Sequence, residues 1–168
     1  MKRPQPDEYG AFYKRYIDTV GDDIFKELTD QLINFPQFLR NIPVEKISYA
    51  YAEGKWTIKE LLGHLIDTER IMAYRLLRFA RNDSTSLPGF EENDYVKNAH
   101  FAELDFALLI EEFEAVRKAN LYLFKSLNEE ELNRKGEASN NPLSVRALLF
   151  IIVGHIKHHQ QVLEERYL

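Results

Sequence analysis

Four long stretches of this chain place apolar residues three or four positions apart, the spacing of amphipathic helices that turn one face toward a core. The period-two alternation typical of β-strands is scarce. The stretches begin near Asp22, at Thr57, near Glu103 and at Ser144. Because amphipathic helices of this length bury their apolar faces against one another, the pattern predicts an all-α fold built as a four-helix bundle.

Two of the predicted helices have clear start signals. Thr57 and Glu60 have the spacing of a capping box, in which each side chain bonds to the backbone N–H of the other, and the helix is expected to run to about Ala80. Ser144 follows a turn-forming Ser-Asn-Asn-Pro segment. It is the expected N-cap of the last helix, which should continue nearly to Leu168.

The connection between the second and third helices, roughly Arg81 to Ala102, is longer than most connections in helical bundles. Its length suits a crossover from one end of the bundle to the other, which would make the two helices parallel. It equally suits a loop that covers a pocket. The sequence leaves both interpretations open.

Length, charge and cysteine content limit the class of protein. The 168 residues are expected to form one domain, 1–168. The net charge of −5 argues against general binding to nucleic acid or to an anionic membrane. Because there is no cysteine, any metal must be held by nitrogen and oxygen atoms. No apolar signal segment and no run near the ~20 residues that cross a bilayer is visible, so a cytoplasmic location is expected.

Three of the five histidines fall in the last predicted helix, and two of them occupy its apolar face. His155 and His159 are four residues apart, so they lie on one side of the helix, one turn from each other. A buried polar group without a partner costs roughly 1–3 kcal/mol, so these imidazoles need hydrogen bonds or a metal ion. His64, on the inner face of the second helix, is the candidate third ligand.

Three neutral imidazoles bind Zn²⁺, Ni²⁺ or Fe²⁺ and leave at least one coordination position open, as a catalytic site requires. Other interpretations of the histidines stay open. His64 could be a core histidine bonded to a backbone carbonyl. His155 could pair with His158 at a spacing of three, although that pairing leaves the apolar face. Otherwise His158 is expected at the surface and His100 in solvent.

Further polar residues follow His64 along the second helix. Asp67 is a candidate catalytic residue that would orient an imidazole or a molecule on the metal, or else it is a surface carboxylate. Glu69 is expected to face solvent or Arg70. Arg75 belongs to a group of arginines whose charge offsets the helix dipole, which is the favoured interpretation, or it faces the pocket and holds an anionic substrate.

The segments 55–60 and 63–70, followed far downstream by 154–159, resemble motifs of the DinB/YfiT-like superfamily. They read Lys-Trp-Thr-Ile-Lys-Glu, Gly-His-Leu-Ile-Asp-Thr-Glu-Arg and Gly-His-Ile-Lys-His-His. The resemblance covers most of the chain. It implies a four-helix bundle with up-down-down-up topology, which agrees with a long crossover between helices 2 and 3.

By the same resemblance, the metal triad of the family falls on His64, His155 and His159, with zinc or nickel as the usual metal. Members of the family are often dimers, so a homodimer is expected. Characterised relatives include metal-dependent thiol S-transferases, which implies a low-molecular-weight thiol as a further partner.

The main hypothesis is a metal-dependent enzyme that activates a thiol cofactor or water against a small-molecule substrate, as a thiol S-transferase or a hydrolase. A second hypothesis is a non-enzymatic metal-binding bundle protein of the stress response. A third is a metal-free bundle whose histidines are hydrogen-bonded. No nucleic-acid or membrane partner is expected.

Overall fold

The computed structural model describes residues 1–168 and confirms a mostly helical fold. None of the helices combines the length and the hydropathy that crossing a bilayer requires. Four long helices correspond to the four predicted amphipathic stretches, and three short ones lie between or before them. In chain order the helices are α1 (Lys14–Ile17), α2 (Ile24–Arg40), α3 (Ile58–Ala80), α4 (Glu92–Ala99), α5 (Phe106–Lys125), α6 (Glu129–Asn133) and α7 (Val145–Val162).

Both predicted start signals are confirmed. The Glu60 N–H donates to Thr57 Oγ1 at 3.3 Å, and the Thr57 N–H donates to Glu60 Oε2 at 2.7 Å, so the capping box opens α3. Ser144 Oγ accepts from the Ala147 N–H at 2.9 Å at the start of α7. These side chains satisfy backbone donors that the first turn of a helix leaves free.

The ends of two other helices depart from the simple pattern. The third long helix was expected from about Glu103, but α5 begins at Phe106. Asp105 is its N-cap, because its Oδ1 accepts from the Ala107 N–H at 2.7 Å. After α7 the chain continues in a wider π-helical turn, Leu163–Tyr167, nearly to its last residue.

A short two-stranded antiparallel hairpin precedes α7, an element that the all-α prediction does not include. Its strands are β1 (Lys135–Ala138) and β2 (Asn141–Ser144). Ser139 and Asn140 form the turn with φ of 54° and 58°, the pattern of a type I′ hairpin turn. Strands of four residues are too short to show a period of two, so the sequence indicates the turn but not the strands on either side of it.

The long connection between α3 and α5 contains α4 and is attached to the hairpin. The Leu87 N–H donates to the Glu137 carbonyl at 2.9 Å, and the Leu87 carbonyl accepts from the Ser139 N–H at 3.0 Å. At its far end, Lys59 of α3 donates to the Leu104 carbonyl at 2.7 Å. The connection is therefore an ordered wall along α3.

A layer of buried polar residues divides the interior of the bundle. Helices α2 and α3 each pack against both α5 and α7. Apolar side chains form two clusters, one around the first half of α7 and one around the start of α3. Between these clusters each long helix contributes at least one buried polar residue. Among these residues are Gln31, Thr68, Glu69, Arg117 and His155.

Candidate metal centre

Three histidine rings meet between α3 and α7. His64 lies on the second turn of α3, and His155 and His159 lie one turn apart near the end of α7. His155 Nε2 is 3.2 Å from His64 Nε2 and 3.1 Å from His159 Nε2. One ring nitrogen from each residue lies within 4.8 Å of the other two. The structure therefore brings the three histidines predicted as ligands into one cluster.

Hydrogen bonds among these rings cannot satisfy all three nitrogens. A neutral imidazole nitrogen is either an N–H donor or a lone-pair acceptor, so it serves one partner. His155 Nε2 faces two ring nitrogens, so at least one of the three has no bond. A divalent metal fits the arrangement, since Zn–N bonds of about 2.0–2.1 Å set two nitrogens of a tetrahedral shell ~3.3 Å apart.

Burial keeps the three imidazoles neutral. It lowers the pKa of His64 to about 4 and the pKa of His159 to about 3. The pKa of His155 is lowered by burial and, to a lesser degree, by the charge that His159 would carry. At neutral pH each ring can offer a lone pair, which is the form of histidine that binds a metal.

Aromatic neighbours fix the orientation of two of the rings. The Trp56 ring centroid is 4.7 Å from that of His64, and the Tyr167 hydroxyl donates to the Trp56 carbonyl at 2.6 Å. Tyr16 meets His155 edge-on with centroids 5.4 Å apart. Because these aromatic rings pack against the imidazoles, they help to hold His64 and His155 in position.

The glycine before each of two histidines permits close packing. A Cβ on Gly154 would overlap the Tyr16 carbonyl, and a Cβ on Gly63 would overlap the Phe101 ring. Alanine at position 154 would force α7 and the backbone at Tyr16 apart, and alanine at position 63 would require the Phe101 ring to move.

The outer ring nitrogens of the cluster have few partners. Thr68 Oγ1 lies 3.5 Å from His64 Nδ1, which is long for a hydrogen bond. His159 Nδ1 is buried and has no protein partner. A metal-binding histidine usually donates from its second nitrogen, and Thr68 Oγ1 is the acceptor that faces His64 Nδ1.

The remaining two histidines lie outside the cluster. His158 is half-buried rather than fully at the surface, with its ring 5.4 Å from that of Tyr16. His100 is exposed, as expected, and its ring nitrogen is 3.9 Å from Glu103. The alternative pairing of His155 with His158 is therefore not the one that the structure forms.

The acidic residue beside the cluster is Glu92, not Asp67. Glu92 Oε2 lies 4.0 Å from His64 Nε2. Asp67 lies 3.6 Å from Arg70 on the same helix and is absent from the cavity that the histidines line. The sequence did show acids in the long connection, but only the position of α4 directs Glu92 at the histidines.

Glu69 is buried, so the expectation that it faces solvent or Arg70 is wrong. It is 4% exposed, and its carboxylate accepts from Arg117 Nε at 2.7 Å and from Arg117 Nη2 at 2.8 Å. The physical reason is that α3 packs against α5 as well as α7, so two of its faces are buried.

A cavity of about 290 Å³ is lined by His64, His155 and Arg75. Arg75 is 2% exposed, which contradicts its interpretation as a surface charge that offsets the helix dipole. The rest of the wall comes mainly from aromatic and apolar side chains and two acids of the long connection. It is lined by Phe12, Tyr13, Tyr16, His64, Thr68, Met72, Arg75, Phe90, Glu91, Glu92, Ser139, Ile151 and His155.

A family model described as the DinB superfamily matches residues 27–163. The chain belongs to the DinB superfamily. The fold is that of solved bundle proteins from Bacillus subtilis. YfiT, described as "a probable metal-dependent hydrolase with an unusual four-helix bundle topology", matches with a TM-score of 0.72 at 14% identity over 97% of this chain and 92% of its own. YjoA, a DinB-like protein, matches with a TM-score of 0.58 at 18% identity over 85% and 88%.

Two proteins of Oceanobacillus iheyensis are similar in sequence. One is named "Putative metal-dependent hydrolase OB0413" and is 26% identical over 68% of this chain and 66% of its own length. The match thus spans just under two thirds of that relative. The other, OB0782, has the same form of name and is 21% identical over 81% of each chain.

Proposed function

We propose that this protein is a metal-dependent enzyme that acts on a small-molecule substrate as a hydrolase or a thiol S-transferase. His64, His155 and His159 would hold one divalent ion, zinc or nickel. The observation that carries the proposal is the convergence of three neutral Nε2 atoms that cannot satisfy one another. Two of these histidines line an open cavity, so a substrate can reach them.

A bound divalent ion would lower the pKa of a water or thiol brought to it and so supply a nucleophile at neutral pH. The chain has no cysteine, so a reacting thiol must come from a separate small molecule. Burial raises the pKa of the Glu92 carboxyl, which suits this group to accept and hold a proton beside the cavity. Asp67 stays the candidate that the sequence gives for the same role.

The up-down-down-up topology belongs to the same proposal. Lys59 at the start of α3 bonds to Leu104 just before α5, and Arg81 just after α3 pairs with Glu131 beyond the end of α5 at 3.0 Å. These contacts join like ends of α3 and α5, which supports a parallel pair.

We also propose a homodimer in the cytoplasm. Large apolar side chains on α2 and α5 are exposed: Ile33 at 63% and Tyr122 at 74%. Such side chains can be covered by a second copy of the chain. Sedimentation equilibrium of the wild-type protein and of Tyr122→Glu tests this, and an unchanged monomer in both would contradict it.

Cobalt-substituted protein tests the metal and the open coordination position together. We expect about one Co²⁺ per chain and a change in the visible spectrum when small thiols are added in millimolar excess, as sulfur joins the coordination shell. A spectrum indifferent to thiols would count against the transferase version. A protein that binds no cobalt would overturn the whole proposal.

Turnover of ester, amide and thiol-acceptor substrates then separates an enzyme from a binding protein. Glu92→Gln should reduce turnover about 10²-fold or more and leave cobalt binding intact, with Asp67→Asn as the matched control that changes little. If Asp67→Asn lost more turnover than Glu92→Gln, Asp67 would be the catalytic residue, as the sequence suggests. Tight metal binding without turnover on any substrate would favour the non-enzymatic stress-response protein.

A further inference from the structure

We propose that Arg75 is a binding residue for an oxyanion, the carboxylate or phosphate group of a small acid whose other end reaches the histidine cluster. The identity of this acid as a substrate rests on the proposed function. The binding of the anion itself does not, since Arg75 belongs to the chain and needs no metal.

Arg75 is the arginine of α3 that lacks a carboxylate partner. Arg70 pairs with Glu112 at 2.6 Å, Arg78 pairs with Asp83, and Arg81 pairs with Glu131, and these three arginines are partly or fully exposed. Arg75 is buried and forms no ion pair. Arg75 thus differs from Arg117, the other fully buried arginine, whose charge is paired with Glu69.

The hydrogen bonds of Arg75 use only part of its guanidinium. Nη2 donates to the Pro88 carbonyl at 2.9 Å and to Ser139 Oγ at 3.0 Å. Nη1 faces the Met72 sulfur at 3.8 Å, a weak acceptor, and Nε has no protein acceptor. Since a guanidinium carries five N–H donors in a planar fork, donors remain for an oxyanion.

Energy favours an anion at this position. Arginine stays protonated at any ordinary pH, so burial cannot remove its charge. A buried charge without a partner is unfavourable, and two neutral acceptors offset only part of that cost. A ligand carboxylate or phosphate would supply the missing charge.

Arg75 and His64 both line this cavity. They are eleven residues apart on α3, which is three turns and ~16 Å between Cα atoms on nearly the same face. The Arg75 side chain extends back toward Met72, in the direction of His64. An anion on Arg75 would therefore aim the rest of the molecule at the histidines.

The lining of the cavity indicates the chemical character of the body of this ligand. Much of the remaining lining is aromatic or aliphatic and includes Tyr16, Phe90 and Ile151. The cavity is at the lower limit of the ~300–1,000 Å³ of small-molecule sites. The inferred ligand is a small acid with an apolar or aromatic body, and its reacting group lies at the end that Glu92 and the histidines face.

Binding to metal-free protein tests the anion site by itself. The probes are 3-phenylpropionate, phenyl phosphate and the neutral 3-phenylpropanol, measured by calorimetry on wild type, Arg75→Met and Arg78→Met. We expect wild type and Arg78→Met to prefer at least one acid over the alcohol by about tenfold or more, and Arg75→Met to lose that preference. Whichever of the two acids binds more tightly shows whether the site prefers a carboxylate or a phosphate.

Several outcomes would overturn the inference. They are equal binding of acids and alcohol by wild type, a preference that survives in Arg75→Met, and no measurable binding of either acid at millimolar concentration. If Arg75→Met does not fold by circular dichroism, Arg75→Lys replaces it. That variant keeps the charge but loses the fork, so it should lose several-fold of the preference, and full retention would count against the site.

A second arm separates this inference from the proposed function. Cobalt-loaded protein is titrated with 3-mercaptopropionate and with 2-mercaptoethanol. Tighter binding of the charged thiol in wild type but not in Arg75→Met supports both proposals. A response to both thiols that Arg75→Met leaves unchanged overturns the anion site alone. Acid binding to metal-free protein without any thiol response overturns the transferase version alone.

Discussion

Two buried polar clusters start five residues apart on α3 and are built in opposite ways. At Glu69, every strong donor and acceptor has a partner: the carboxylate accepts two bonds from Arg117, whose Nη1 donates to Gln31 Oε1 at 2.9 Å. Gln31 in turn donates to the Val153 carbonyl at 2.9 Å. At His64, three ring nitrogens point at one another and cannot all be bonded.

The difference separates a structural cluster from a functional one. A complete network such as that of Glu69 orders the packing of α2, α3, α5 and α7, and a ligand could only disturb it. An incomplete cluster leaves lone pairs directed at one point, which a cation can fill. Incompleteness, rather than the presence of buried polar atoms, identifies the site.

Removing one histidine should have the largest effect. His155→Ala should reduce bound zinc or nickel from about one per chain to near zero, because two remaining imidazoles hold a metal poorly. Plasma emission spectrometry of untagged protein measures this, with His158→Ala as the matched control that keeps its metal. If His155→Ala kept all of its metal, the assignment of the metal site to these three histidines would be wrong.

Breaking the Glu69–Arg117 cluster should lower the stability of the protein and leave its metal content unchanged. Arg117→Met removes the counter-charge of the buried Glu69 carboxylate and leaves it one donor, Asn120 Nδ2 at 3.2 Å. The free energy of unfolding should therefore fall by roughly 3–5 kcal/mol. The double variant Glu69→Met/Arg117→Met should regain most of that loss, since it buries no charge. Urea denaturation measures both, and metal loss in either variant would show that the two clusters are coupled.

The smallest effect concerns the pH dependence of metal-free protein. The pKa of His64 is about 4 and that of His159 about 3 when folded, against an ordinary value of 6.5. Below pH 6.5 the unfolded chain therefore binds more protons, so these histidines reduce the free energy of unfolding as pH falls from about 6.5 to about 4.

Urea denaturation across that range, with chelator present, measures the slope. His64→Gln should be less sensitive to pH than wild type, while His100→Gln, at an exposed position, should match wild type. Equal slopes in all three proteins would mean that the rings are not held neutral by burial.

Much of the fold could be predicted because its signals are local. The four helices follow from apolar spacing, and two of their starts follow from Thr57 and Ser144, whose caps involve residues only three positions away. The hairpin could not be predicted, because its four-residue strands carry too little pattern. The pairing of Glu69 with Arg117 depends on how α3 and α5 lie together across 48 positions of sequence.

The candidate site also combines residues that local sequence patterns predict with residues that only the three-dimensional fold brings there. His155 and His159 share one face of one helix, so their spacing predicts that they lie together. His64 is a candidate from its place on the inner face of a second helix, and the family resemblance gives the same three residues. Asp67 was selected because it is close in sequence to His64, but closeness along a helix is not closeness to the point where ligands meet. Glu92 and Arg75 depend on the path of the long connection and on the hairpin turn, which no local pattern records.

The contact between Trp56 and His64 allows metal binding at the cluster to be followed by tryptophan fluorescence. Trp56 is the only tryptophan of the chain, its ring lies 4.7 Å from the His64 ring, and the Tyr167 hydroxyl anchors its backbone. The indole emission of the whole protein therefore comes from one position beside the proposed ligands. Ni²⁺ or Co²⁺ entering there would quench that emission, so occupancy can be followed in an unlabelled protein, in real time, by fluorescence.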